Sequence, residues 1–328
     1  MEAGRCHAGP AAGVGSDDTT ADGVHAALPR ANPSGMVWAF AALVLGAVAM
    51  GASPLFVRLA DVGPQASAFW RTALALPFLY LWARFERRPH GDASPRFHRA
   101  AALAGVLFAG DLFFWHLSIL GTTVANATFL ATTSPLWVAL GAWLLRSEAV
   151  GRSTLAGLGL SILGGVALIG ESYGFVPGRF LGDIYGAVTA IFFGGHILAM
   201  RAGRVHLAAA RLSFVSTAIA ACCLLAVAAA LEPRLLPRSA TGIALLLALA
   251  LVSQVGGQGL LAVALGTLPA TFSSVVIFME AVVAAAFGYV FLGEPLGAVQ
   301  VFGGVLIFIG IWVARPRGTN ANFPNASK

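Results

Sequence analysis

The chain has 328 residues, 58% of them apolar and only 10% charged, against about 25% charged in a typical soluble protein. So few charges cannot cover a soluble core of this size, which excludes most soluble enzymes and nucleic-acid binders. Three cysteines, Cys6, Cys222 and Cys223, form neither a disulfide framework nor a metal-ligand spacing, and no cofactor is implied.

A bilayer core needs about 20 helical residues to cross it. Residues 1–34 lack both a basic start and an apolar stretch, so they read as a disordered cytoplasmic tail and not as a signal peptide. Ten apolar runs follow, at 36–57, 65–84, 100–120, 123–145, 152–170, 182–201, 208–231, 240–263, 269–292 and 296–314. They predict an all-α integral membrane protein of ten transmembrane helices, with five-helix units over 35–171 and 182–315 and a second tail over 316–328.

Short loops rich in Lys and Arg stay on the cytoplasmic side. With the amino terminus inside, inner segments hold fifteen of the twenty basic residues and outer loops four (Arg58, Arg179, Arg234, Arg238), while Arg71 lies within the second span. Both termini are therefore expected in the cytoplasm, in a multi-pass protein of the cytoplasmic membrane. The formal charge of +6 is explained by inner loops meeting anionic lipid, with no nucleic acid required.

An internal repeat is visible. The segment GTTVANATFLATTSPLWVALGAWLLRSE from Gly121 answers GTLPATFSSVVIFMEAVVAAAFGYVFLGE from Gly266. After one inserted residue, Glu148 answers Glu294, Gly157 answers Gly303 and Gly164 answers Gly310, a constant offset of 146. Five spans separate the copies, so the second faces the opposite side of the membrane, as in transporters built from inverted repeats.

These runs, with GDLFFWHLSIL from Gly110, SQVGGQGLLAVAL from Ser253 and the closing GEPLGAVQVFGGVLIFIGI, resemble EamA-type members of the drug/metabolite transporter superfamily over about 36–314. The resemblance implies ten helices in two inverted repeats and export or exchange of small organic molecules, among them amino acids, metabolites, nucleotide sugars and drugs. It matches Arg71 to the Arg of the second helix, and Glu148 and Glu294 to the acids ending the fourth and ninth. Pro135 is present in the fourth helix, but Ala281, preceded by Glu280, stands where a second proline is usual, so a matching bend in the ninth helix is not implied.

An ionisable group at mid-bilayer costs several kcal/mol unless paired or wetted, and is a functional candidate by default. Asp111 and Glu280 qualify, and Glu148 and Glu294 read as charged stops at the membrane surface. Trp115 at i+4 shares the face of Asp111, whereas His116 at i+5 is rotated about 140° away. Asp111 is a candidate proton or cation site and His116 a relay or substrate contact; the alternative pairs Asp111 with Arg71 and gives His116 to a backbone carbonyl. Gln254 and Gln258 at i, i+4 project two amides from one face, beside glycines that thin the helix. Asn126, Thr133 and Pro135 form a polar strip in the fourth span, while Thr128, Thr132 and Ser134 read as bonding their own helix. His196 reads as a packed or wetted histidine, and most of the aromatic residues as lipid-facing or interfacial.

Three functions compete. A secondary transporter would bind a small molecule at Arg71, Asp111, Trp115, His116, Asn126, Gln254, Gln258 and Glu280, with protons as candidate coupling ions and a monomer or homodimer as the unit. An intramembrane enzyme would use Asp111 and Glu280 as a dyad, but Gly-x-Gly-Asp is broken by Phe108. A passive channel would need a continuous polar path. No Gly-x-x-x-x-Gly-Lys loop is present and the sole lysine is Lys328, which argues against ATP drive from this chain. The expectation is the transporter, not an enzyme.

Overall fold

The computed structural model describes residues 33–86, 99–122, 124–148, 150–169, 179–205, 207–292 and 297–315, and within these all side chains except those of 33, 124–126, 168, 169 and 292. The tails, Glu294 and the side chain of Asn126 lie outside the described residues. Among the described residues there is no strand, and helices satisfy their backbone groups internally as a bilayer requires.

The helices run in chain order as α1 (Pro33–Gly51), α2 (Ser53–Leu59), α3 (Pro64–Ala73), α4 (Leu76–Phe85), α5 (Arg99–Gly121), α6 (Val124–Thr132), α7 (Ser134–Leu144) and α8 (Arg152–Ile169). They continue as α9 (Phe180–Gly203), α10 (Ala209–Leu231), α11 (Ala240–Ala248), a π-helical segment (Leu249–Gln258), α12 (Gly259–Ala264), α13 (Ala270–Val276), α14 (Met279–Leu292) and α15 (Ala298–Ala314). Seven helical bodies among the described residues are long and apolar enough to cross a membrane: Ser34–Leu59, Arg99–Gly121, Ala127–Leu144, Phe180–Gly203, Ala209–Leu231, Ala240–Ala264 and Ala270–Phe291. Over the other three expected spans the helices are shorter or broken. The second divides at Leu74–Ala75, ahead of Pro77, into α3 and α4, and α3 carries Gln65, Ser67, Arg71 and Thr72 on buried positions. The fifth and tenth are α8, of 18 residues, and α15, of 17.

The molecule is apolar over much of its outside and keeps several polar groups inside a largely hydrophobic core. Trp38, Phe85, Trp143 and Leu145 are exposed, while Arg71, Asp111, His116, Gln254 and Gln258 are buried. So many large apolar side chains on the surface, with charged and amide groups held inside, suit lipid as the solvent.

The repeat is visible in the contacts. A Cβ added to Gly157 on α8 would lie 2.4 Å from the carbonyl of Gly310 on α15, and one added to Gly164 would lie 2.6 Å from that of Gly303. The two helices are therefore antiparallel, at a separation only glycine permits. The offset of 146 turns one of these contacts into the other, as a two-fold relation between the halves does. Two further pairs of residues 146 apart behave alike. Glu86 accepts from the backbone N–H groups of Ala209 (3.1 Å) and Ala210 (2.8 Å), and Glu232 from those of Gln65 (2.6 Å) and Ala66 (3.2 Å), so each half caps a helix start of the other. Arg58 donates to the carbonyl of Thr122 and Arg204 to that of Ala262, at 3.4 and 2.8 Å, near the ends of α5 and α12.

Both the fourth and ninth helices break, at corresponding points, although only the fourth carries a proline there. At Thr133 the ladder tightens to i→i+3 bonds, Thr133 N–H to Leu130 O (3.1 Å) and Leu136 N–H to Thr133 O (3.0 Å). At Ile277–Phe278 the same pattern runs through Ile277 to Ser274 (3.2 Å) and Glu280 to Ile277 (2.8 Å). In the ninth helix the hydroxyl of Ser274 bonds the Thr271 carbonyl at 2.9 Å, and residues 271–279 are all buried. Packing and side-chain competition for the backbone do there what Pro135 does in the fourth.

Candidate functional site

Breaks in the helices, not their regular stretches, open the site. Ser53 follows the interruption at Ala52, which Pro54 forces; Thr132 ends α6; Ile277 and Glu280 flank the break between α13 and α14. All four face one cavity of about 30 Å³, whose wall also holds Arg71, Asp111, Trp115 and Gln258. That volume fits about one water, so the groups on its wall lie close across it.

Arg71 is 4% exposed. Its Nε donates to Oε1 of Gln254 and its Nη1 to Oγ of Ser53, both at 3.2 Å. The guanidinium carbon lies 5.8 Å from the Trp115 ring centroid and 5.9 Å from that of Phe108, within cation–π range. Asp111 and Glu280 are the carboxylates that act on it electrostatically, yet neither approaches it as an ion pair: among the described residues the ion pair within 4 Å is Arg201–Glu148. One cation and two acids thus share a cavity and influence one another through space, where the low dielectric makes charge expensive to leave uncompensated. Glu280, in the first turn of α14, also sits at the positive end of a helix dipole.

The sequence-derived candidates divide in two. Arg71, Asp111, Trp115, Gln258 and Glu280 reach the cavity. Gln254 supports Arg71 from behind and donates its Nε2 to Oγ1 of Thr217 at 3.1 Å. His116 does not line the cavity; its Nδ1–H donates to the Leu112 carbonyl at 2.7 Å and its Nε2 has no partner. Thr132 and Thr133 bond their own helix through the carbonyls of Phe129 (2.8 Å) and Leu130 (2.6 Å), whereas Thr128 and Ser134 have no partner for their hydroxyls. The two glutamines do not sit on a regular α-helix. Residues 249–258 form a π-helix, a rare i→i+5 geometry often found at functional sites, and the amides are sent to different partners, Gln258 donating to Sδ of Met50 at 3.3 Å.

Met50, Ser53, Thr189 and Phe193 line the cavity without having been singled out, and Thr132, expected to bond its own helix, lines it as well. For Ser53 and Thr132 a signal existed: each stands within three residues of a proline inside an apolar run, Pro54 and Pro135. Thr189 and Phe193 carry no such mark.

The two ends of the bundle differ. Around Asp61 and Glu232 a cleft of about 740 Å³ is lined by Asp61, Gly63, Gln65, Leu117, Glu232 and Arg238 among others, within the volume range of small-molecule pockets. Gln65 shares α3 with Arg71, and Leu117 shares α5 with Asp111. Six residues separate the members of each pair, about 9 Å of helix rise. At the opposite end Glu148 accepts from Arg201 Nε (3.3 Å), Ala270 N–H (2.8 Å), Thr271 N–H (3.1 Å) and Thr271 Oγ1 (3.1 Å). Arg201 also donates to the Leu265 carbonyl at 2.5 Å, and Arg204 to the carbonyls of Ala262 and Leu207.

The EamA-like transporter family matches the chain twice, over residues 35–170 and 180–315. A crystal structure 18% identical in sequence superposes with a TM-score of 0.70, over 87% of this chain and 97% of that one, a likeness of fold alone. No curated protein matches the chain significantly.

Proposed function

The chain belongs to the EamA-like transporter family, and from that premise we propose that it is a secondary transporter carrying a small organic solute by alternating access between two inverted five-helix halves of a ten-span bundle. The observation that carries the reading is the gathering of Arg71, Asp111 and Glu280, without an ion pair among them, on one small cavity between broken helices of an apolar bundle. Such groups are expensive at membrane depth, and a solute with complementary charge or hydrogen-bonding groups offsets that cost. Discontinuous helices around a midplane site are the usual architecture for this task.

In this reading the Glu148 end faces the cytoplasm, because Arg84, Arg99, Arg146, Arg152, Arg201, Arg204 and Arg211 flank it, and both termini are cytoplasmic in the inner membrane. The Asp61 cleft is the outer mouth. Asp111 and Glu280 take the substrate charge or the coupling proton, and the working unit is a monomer or a homodimer.

The test is uptake of a metabolite panel by purified protein in liposomes, with and without a proton gradient. Transport of at least one solute is expected, falling at least tenfold in Asp111→Asn and in Glu280→Gln, with an altered pH dependence in the variants. No transport of any solute, or hydrolysis of peptide or lipid instead, overturns the function. Transport with an unchanged pH curve in both variants overturns the coupling role.

A further inference from the structure

On the wall of the central cavity most hydrogen-bond donors are already engaged and the acceptors are not. Arg71 gives its Nε to Gln254 and its Nη1 to Ser53. The hydroxyl of Thr132 donates to the Phe129 carbonyl at 2.8 Å, that of Thr189 to the Tyr185 carbonyl at 2.9 Å, and Nε2 of Gln258 to Sδ of Met50 at 3.3 Å. Among the described residues no hydrogen bond or ion pair reaches the carboxyl group of Asp111 or of Glu280. Asp111 is 6% exposed, and so is Gln258, whose Oε1 is buried without a partner. Ionised carboxylates and an amide oxygen only accept. Three such groups on one wall without a donor cost free energy until an occupant brings hydrogens.

Charge points the same way. Two carboxyl groups face one guanidinium, so with all three ionised the wall keeps one negative charge uncompensated. An occupant with a single positive charge removes it, whereas a zwitterion or an anion leaves it in place. The remainder of the wall separates an organic cation from an inorganic one. Met50, Leu112, Trp115, Ala131, Phe193 and Ile277 are apolar, so their side chains offer an alkali ion no oxygen ligands but suit a hydrocarbon body. Trp115 already lies against one cation, the guanidinium of Arg71, and aromatic faces of this kind attract organic cations as well.

We propose that the cavity binds a small organic monocation carrying N–H groups, an alkylammonium or arylalkylammonium, whose hydrogens are shared by Asp111, Glu280 and Oε1 of Gln258. The assignment names the substrate class of the transport site and rests on that reading. Gln258 is then a specificity residue, since its Nε2 is held on Met50 and its oxygen is left for the solute. At about 30 Å³ the cavity holds the ammonium head group. The hydrocarbon body is accommodated by movement of Met50, an unbranched thioether bound through one weak acceptor.

The test is equilibrium binding by calorimetry at neutral pH, with the full chain in nanodiscs of uncharged phosphatidylcholine. The probes are methylammonium, butylammonium and phenethylammonium chloride, with phenethyl alcohol, phenylalanine, hydrocinnamate and sodium chloride for comparison. At least one amine is expected to bind, at least tenfold more tightly than the alcohol, the zwitterion, the anion or sodium. Asp111→Asn and Glu280→Gln are each expected to weaken that amine at least tenfold, and Gln258→Leu about threefold or more. Binding of none of the amines overturns the proposal. So does phenylalanine, hydrocinnamate or sodium binding as tightly as the amine, or an affinity unchanged in both acid variants. The probe series on the parent chain decides the matter even where a variant fails to fold. An amine that binds but is not taken up into liposomes overturns the transport reading and leaves the assignment; uptake confined to zwitterions or anions overturns the assignment and leaves transport in place.

Discussion

The two ends of the bundle use the same device to different effect. At each, a glutamate from one half caps a helix start of the other, Glu86 on α10 and Glu232 on α3. The Glu148 end adds a hub in which one carboxylate joins the ends of three helical bodies through Arg201, Ala270 and Thr271. The Asp61 end instead surrounds a cleft of about 740 Å³. Symmetric caps with one asymmetric hub mean that the Glu148 end is tied together by side chains from distant spans.

Removing the hub is the strongest way to break the comparison. Glu148→Ala leaves Arg201 without its carboxylate and two backbone N–H groups without an acceptor, at a cost of about 3 kcal/mol. A lowered midpoint in thermal unfolding is expected, together with faster maleimide labelling of a cysteine placed at Leu265. An unchanged labelling rate would show that the hub does not seal this end.

The caps sharpen it. Glu86→Ala and Glu232→Ala should each cost about 1 kcal/mol, the ordinary value of a helix cap. Their effects on access should be opposite, the first raising cysteine reactivity at the Glu148 end and the second at the Asp61 end. Equal reactivity changes at both ends in either variant would mean that the caps serve stability alone.

The smallest effect is expected at Asp61. Its exposed carboxylate is held below the usual aspartate range chiefly by the hydroxyl of Ser239, against a slight opposing effect of burial, with the Arg238 and Ser239 backbone N–H groups adding to the hydroxyl. A depressed acid contributes stability above its unfolded-state pKa, about 3.9, and loses it as pH falls through the lower folded value. Stability at neutral pH should therefore fall slightly in Asp61→Asn, by the small amount the exposed carboxylate contributes there. The unfolding midpoint of the variant should fall less steeply than that of the parent below about pH 4.

Much of this was legible in the chain itself, because a bilayer imposes a strong and simple constraint. Arg71, Asp111 and Glu280 declared themselves as charges within apolar runs, and Asp111 and Trp115 share a face through plain helical periodicity. His116 shows the limit of reading by proximity: it adjoins Trp115 in sequence, but a rotation of about 100° per residue takes it off the cavity onto its own helix's carbonyl. Glu148 reads as a charged stop at the surface. Its partners at 201, 270 and 271 are more than fifty residues away, and only the folded chain makes it a hub. The break in the ninth helix has no proline to announce it, since buried packing around Phe278 and the Ser274 hydroxyl supply the turn.

Periodicity, charge placement and the offset of 146 settled, before any fold was seen, a helical membrane protein made of two related halves, because hydrocarbon excludes unsatisfied backbone and uncompensated charge from most positions. Which of the buried polar groups meet was decided by packing. Where glycines let α8 and α15 close and where four helices interrupt their own ladders, the side chains of 53, 71, 111 and 280 are brought around one small space, a convergence of distant residues that no local pattern encodes.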